Sequence, residues 1–346
     1  MSVPKIPMIA LEEAFTLPEL ASKSSAFAGP NGGQDLGTDL VDIQGRRLER
    51  MKASGVSLMV LSLTSPGPQD EPDQEKALAL ARRANDYLAG EIQTNPSCFA
   101  GLASLSMHDP KTAVIEARRA VKDLGLVGII VNDFQTVSPD GEQVVFYDQP
   151  PWDVFWKEIT ELDVPVYIHP RLTTPDVSKK FLAERLGLRG SAYFFSVGVS
   201  LHVLGLYVNG VFERFPKLQI IVGHMGEHLL LQLWRIDHRL SYNTGAMKPK
   251  TKKTFREVMK TVPSFEPANE ANNRISLSPP VGTTVHLHCS MQSKKSESIG
   301  KVMFSIDYPY ETLEEGPKWF DEITELSQEQ KEQIASGNAK RLLKLS

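Results

Sequence analysis

The sequence predicts an α/β fold and, within that class, a (β/α)8 TIM barrel. Three observations point there: short aliphatic runs recur along the chain, helix-length amphipathic segments separate them, and polar residues fall repeatedly at their C-terminal ends. Runs that are continuously apolar belong to parallel sheets covered on both faces. About eight such units make a closed barrel the leading architecture. A doubly wound open sheet comes second, because the early GxGxxG turn it often carries is absent.

The first run, "MIALEE" at 8–13, ends on two carboxylates, Glu12 and Glu13. An ionised carboxylate out of water without a partner is costly, so either the pair lies just outside the fold or something positive waits for one of them. Glu13 is the one expected in solvent, on the opposite side of the strand from Glu12. "SLMVLSL" at 57–63 is the second run, followed by a rim loop with Thr64, Ser65 and Pro66. "CFAGLASL" at 98–105 is the third; His108 in the loop after it could reach a pocket. In "DPKTAVIEARRAVKDLG", Asp109 can cap a helix, Pro110 can open it and Gly125 can close it. "LVGIIVND" at 126–133, "PVYIHP" at 165–170 and "LQIIVGH" at 218–224 end on Asn132, His169 and His224. "RISLS" at 274–278 and "VMFSID" at 302–307, ending on Asp307, complete the set.

At 346 residues the chain could form two or three domains, but no linker or repeat divides it, so one domain over 1–346 is expected. A net charge of −4 gives no electrostatic reason to expect nucleic acid or a membrane surface. Two cysteines, Cys98 and Cys289, make a disulfide framework implausible and point to a reducing compartment. No run approaches the roughly 20 apolar residues of a membrane span. "MSVPKIPMIA" lacks the apolar core of a signal peptide, so a cytoplasmic globular protein is expected.

In a parallel barrel all strand ends lie on one face. Glu12, His169 and Asp307 on a shared rim suit one divalent cation, which would make their burial tolerable. The bland readings are a solvated Glu12, a core His169 bonded to a backbone carbonyl, and an Asp307 that forms a turn or caps a helix before Pro309. His224 and Glu227 lie within one helical turn, and a histidine held by a carboxylate suits proton transfer. Arg235, eight residues after Glu227, would share its helix face and could bind a carboxylate or merely pair with an acid. Asn132 and Thr64 are neutral candidates for substrate contact, with plain loop roles as alternatives. His286 and His288 form an HxH in an unclear segment.

At these residues the chain resembles the nonoxidative hydroxybenzoate decarboxylases of the metal-dependent amidohydrolase superfamily, which include 2,3-dihydroxybenzoate, γ-resorcylate and salicylate decarboxylases. The likeness is carried by "IALEEAF", "SPGPQ", "LSMHDP", "GIIVND", "FYDQPPWDVFW", "LDVPVYIHPR", "LQIIVGHMGEH", "LWRIDHR" and "FSIDYPYE". It implies an amidohydrolase-like barrel in which Glu12, His169 and Asp307 hold one divalent metal, Mg²⁺, Mn²⁺ or Zn²⁺. It implies that His224 and Glu227 form a catalytic pair, with Arg235 near the carboxylate of a small aromatic acid. The reaction expected is ring protonation followed by CO₂ loss, in a homodimer or homotetramer. Where some relatives have glutamate-x-histidine in the first strand, Ala14 replaces the histidine here. The segment 276–300, with Pro279 and Pro280, also departs from the family pattern. A metal-dependent hydrolase of a lactone or amide and a catalytically impaired homologue are the alternatives.

Overall fold

Among the described residues, six parallel strands follow the aliphatic runs: β1 (Met8–Phe15), β2 (Val56–Leu63), β3 (Phe99–Ser104), β4 (Gly128–Asn132), β5 (Val166–His169) and β6 (Ile220–Val222). Each pairs with the next in chain order, giving the wall of an α/β barrel of the (β/α)8 type. The structure, a computed structural model, describes residues 6–24, 35–261 and 299–345. The seventh run, with Pro279, Pro280, His286 and His288, lies outside the described residues.

The eighth run differs from expectation. Residues 302–307 form no regular strand. They lie beside β1, with Leu11 N–H donating to Phe304 O at 3.2 Å and Ala14 N–H to Tyr308 O at 2.8 Å. Between those bonds, side chains replace the ladder: Glu12 N–H donates to Ser305 Oγ at 2.8 Å, and Glu13 accepts from Ile306 and Tyr308.

Helices cover the outer face of the wall: α1 (Arg46–Ser54), α2 (Gln74–Thr94), α3 (Pro110–Lys122), α4 (Asp153–Leu162), α5 (Phe194–Val208) and α6 (Leu233–Leu240). Asp109 caps α3 as its position predicts, accepting Thr112 N–H at 2.8 Å with Pro110 in the first turn. Gly125 takes φ 74° just past its end. Helix α2 turns Ala77, Ala81 and Ala84 inward, and these small residues let it sit close to the sheet. A Cβ on Gly101 of β3 would come within 2.6 Å of Leu88.

Alternation along the strands sorts two apolar layers. Ile9, Leu11, Val60, Leu102, Ile130 and Ile221 fill the barrel interior, joined by Ala339 and Leu343 of the C-terminal helix Asn338–Leu343. Ala10, Met59, Leu61, Val131 and Ile168 face the helices. Strand β1 breaks the alternation: Ala10 pairs with Met59, but Glu13, three residues on, pairs with Leu61. This one-residue bulge slips the side-chain phase. Glu12 thereby joins the interior side at the mouth, and Glu13 joins the helix side. Glu13 is 0 % exposed, so the expectation of a solvated residue is corrected.

Helix α5 buries His202 against the end of β4, where its Nδ1–H donates to Asp133 O at 2.5 Å. Burial lowers its pKa to about 4, outweighing that bond and the charge of Asp148. An unfolded histidine titrates near 6.5, so as pH falls the unfolded chain takes the proton first. This contribution to stability is complete above about pH 6.5 and is lost toward pH 4, costing about 2 kcal/mol by pH 5. The urea midpoint should therefore drop between pH 7 and pH 5 by less in His202→Gln than in the parent protein.

Candidate active site

Strand ends supply the site, so register sets its spacing. Asn132 at the end of β4 lies opposite His169 at the end of β5, and His224 follows β6 by two residues. The bulge in β1 brings Glu12 to the same mouth. Glu12 is 3 % exposed. Its Oε1 lies 3.0 Å from His169 Nε2 and 3.5 Å from His224 Nε2. The candidate ligand atoms of these three residues all fall within 4.8 Å of one another.

The other imidazole nitrogens are anchored. His169 Nδ1 lies 2.7 Å from Pro170 O, and His224 Nδ1 lies 2.6 Å from Glu227 Oε1. Backbone carbonyls and ionised carboxylates only accept, which assigns a hydrogen to each Nδ1. In the neutral tautomers both Nε2 lone pairs then converge with the Glu12 carboxylate. Such a set requires positive charge among its members, as a proton or a metal ion. One carboxylate and two imidazoles fixed through their second nitrogens suit a divalent cation.

Burial acts to lower the His224 pKa, but the charges of Glu12 and Glu227 outweigh it and raise it to about 10. Asp307 stands beside the cluster without entering it. Its carboxyl is raised well above the ordinary range by burial and then by Glu12, with His224 opposing. Among the described residues, the structure thus brings His224 rather than Asp307 into the tight group. Backbone geometry marks the same residues. His224, Glu227 and Asp307 adopt φ of 47°, 56° and 69°. Side chains other than glycine pay of order 1–3 kcal/mol each for such conformations, which persist where the surroundings over-determine them.

A family model described as Amidohydrolase matches residues 28–243 and 296–345. The chain belongs to the amidohydrolase family. This amidohydrolase is 36% identical over 337 residues to the γ-resorcylate decarboxylase of Rhizobium sp. (strain MTP-10005), covering 97% of this chain and 98% of that protein. Its fold is similar to that of a 2,6-dihydroxybenzoate decarboxylase complexed with 2,6-dihydroxybenzoate, with TM-score 0.85, 35% identity and coverage of 98% and 99% of the two chains. It is also similar to a dihydroxybenzoic acid decarboxylase from Polaromonas sp. JS666 with bound manganese and the inhibitor 2-nitroresorcinol, with TM-score 0.85, 33% identity and coverage of 98% and 97%.

The remaining predicted positions of the amidohydrolase site are dispersed. Asn132 Nδ2–H donates to Pro170 O at 3.2 Å and to His169 O at 3.4 Å, bracing the turn that carries His169. Thr64 Oγ1 lies 2.8 Å from the Tyr310 hydroxyl. His108 is tied to Ser106 Oγ and Pro72 O, at 3.1 and 3.0 Å. Arg235 is exposed on α6. The spacing that placed it on the face of Glu227 assumed one continuous helix, whereas a 3-10 turn at His224–Gly226, a left-handed Glu227 and a second 3-10 turn at Leu230–Gln232 precede α6. Sequence reasoning passed over Gln69, whose type carries no catalytic signal. Its Oε1 accepts Asn132 N–H at 2.7 Å, and its Nε2–H donates to Phe134 O at 3.1 Å and to the Tyr147 hydroxyl. It joins the loop after β2 to the end of β4.

Glu12→Gln removes the one anionic member of the tight cluster. Mn²⁺ affinity, measured by equilibrium dialysis, should fall by more than the roughly 10- to 100-fold typical of losing an outer-shell partner.

Proposed function

We propose that this amidohydrolase is a carboxy-lyase that removes CO₂, without oxidation, from an ortho-hydroxylated aromatic acid to leave a phenol. The observation that carries the reading is the convergence of Glu12, His169 and His224 at one mouth, in a chain similar to aromatic-acid decarboxylases over nearly its whole length. The substrate class is dihydroxybenzoate, salicylate or orsellinate, with 2,6-dihydroxybenzoate the first choice because of the named relatives.

The chemistry explains why such a site is needed. Direct loss of CO₂ from a benzoate would leave an unstabilised aryl anion. Protonating the carbon that bears the carboxylate avoids it. The bond to CO₂ then breaks, its electron pair returns to the ring and aromaticity is restored. We assign Asp307 as the donor of that proton, regaining one from solvent after each turnover. His224 and Glu227, joined through His224 Nδ1–H, are assigned to handle the phenolic proton. Arg235 is assigned to the substrate carboxylate on the chemistry of its planar fork, and Asn132 and Thr64 to polar contacts at the rim.

Glu12, His169 and Asp307 are assigned as the metal ligands, with His224 close enough to share that role. A divalent ion bound there supplies positive charge that orients the substrate oxygens and stabilises their negative charge. The manganese in the Polaromonas relative favours Mn²⁺, with Mg²⁺ and Zn²⁺ as the other candidates. Ala14, where an HxH pattern would place a histidine, favours decarboxylation over hydrolysis of a lactone or amide. We further assign the chain one domain, a cytoplasmic location and a homodimeric or homotetrameric state. Among the described residues no helix is long and apolar enough to cross a membrane. Leu231, Trp234, Tyr242 and Met247 are exposed along one stretch of chain, as a subunit interface would require.

Purified protein supplied with Mn²⁺ should convert at least one of 2,6-dihydroxybenzoate, salicylate and orsellinate to its phenol, followed by liquid chromatography. No phenol from any of them, with hydrolysis of a lactone or amide panel instead, would overturn the assignment. Asp307→Asn should lower turnover by roughly 100- to 10,000-fold with the melting temperature retained.

A further inference from the structure

We infer that Glu13 is a positioning residue for Asp307, gripping the backbone on both sides of it. The inference rests on the reading of Asp307 as the proton donor to the ring.

The phase slip in β1 sends Glu13 away from the mouth and buries it against residues 304–308. Its Oε1 accepts Ile306 N–H at 3.0 Å and its Oε2 accepts Tyr308 N–H at 3.1 Å. These are the two residues that flank Asp307. In an ordinary parallel pair, alternate N–H groups of one strand donate to carbonyls of its neighbour. Here one carboxylate takes both, and the residue between them leaves strand geometry for φ 69°. Aspartate tolerates that region better than most residues but still adopts it uncommonly, so fixed neighbours help to hold it there. The fixing is close on either side: Glu12 N–H donates to Ser305 Oγ at 2.8 Å and Ala14 N–H to Tyr308 O at 2.8 Å.

The grip uses both carboxyl oxygens as acceptors, and burial pushes the Glu13 carboxyl up to about 8 against those two bonds and the charge of Arg47. Each oxygen faces a backbone N–H and accepts from it. Glutamine has the same shape but would aim an NH₂ group at one of the N–H donors. Countercharge is buried nearby: the Arg47 guanidinium donates to Ala14 O at 2.6 Å and lies over the Tyr308 ring at 4.8 Å. The adjacent glutamates therefore divide the work. Glu12 belongs to the charged cluster, and Glu13 sets where Asp307 stands relative to it.

The test is Glu13→Gln in the full-length protein, read by crystal structure and by steady-state kinetics on whichever panel acid the parent decarboxylates. Asp307 should leave the left-handed region, and kcat should fall by about 10- to 100-fold, the usual effect of losing an outer-shell partner, with KM little changed. An Asp307 that keeps its conformation, or a kcat equal to that of the parent, overturns the inference. So does a loss of activity that only tracks the loss of folded protein, since that is all a structural strut would produce. The crystal structure decides even if the parent decarboxylates nothing: a displaced Asp307 then upholds the positioning role while the proposed reaction falls. Should Glu13→Gln fail to fold, Glu13→Asp, one methylene too short to span both amides, takes its place with the same two outcomes at Asp307.

Discussion

Three electron-rich groups aimed at one point form the constraint on which the rest of the structure depends. Glu12 meets the Nε2 atoms of His169 and His224, and both histidines have committed their other nitrogens elsewhere. Left without positive charge, such a cluster would repel itself, and in a partly buried site that repulsion is screened less than in water. Fold and chemistry are joined here: the arrangement that is costly for a bare protein is one that suits a divalent cation.

Much of the surrounding structure keeps those groups from relaxing apart. Asn132 braces the His169 turn, Gln69 fastens β4 to the loop after β2, and Arg171 donates to Gln69 O at 2.6 Å while pairing with Asp70 at 2.8 Å. None of these bonds needs to touch a substrate to matter. A barrel mouth is made of loops, and loops hold a geometry only when their polar groups are cross-tied. The apolar interior beneath, closed from below by Ala339 and Leu343, supplies the rigid base.

The bulge in β1 has an effect out of proportion to its size. With strict alternation, Glu13 would follow Ile9 and Leu11 into the interior and Glu12 would face the helices. One extra residue exchanges the two. It places one acid in the cation-seeking cluster and turns the other to the segment carrying Asp307. Two identical neighbours in sequence thus acquire unrelated tasks.

Sequence alone determined the parallel α/β class, the order of the first six strands, the capped helix after Asp109, and the chemistry gathered at the strand ends. These follow from local rules: apolar runs bury, caps satisfy helix ends, and parallel topology sends every strand terminus to one face. The His224–Glu227 pair was legible for the same reason, since its members stand three positions apart. The burial of Glu13, the irregular path of 302–307, the break between Glu227 and Arg235, and the entry of His224 into the tight cluster were decided only in three dimensions. Partners far along the chain decide the first two: Glu13 reaches residues nearly the whole sequence away, and the phase of β1 is set by its register on β2. Sequence periodicity carries no record of such partners, because a bulge or a left-handed residue changes where a side chain points without changing its identity.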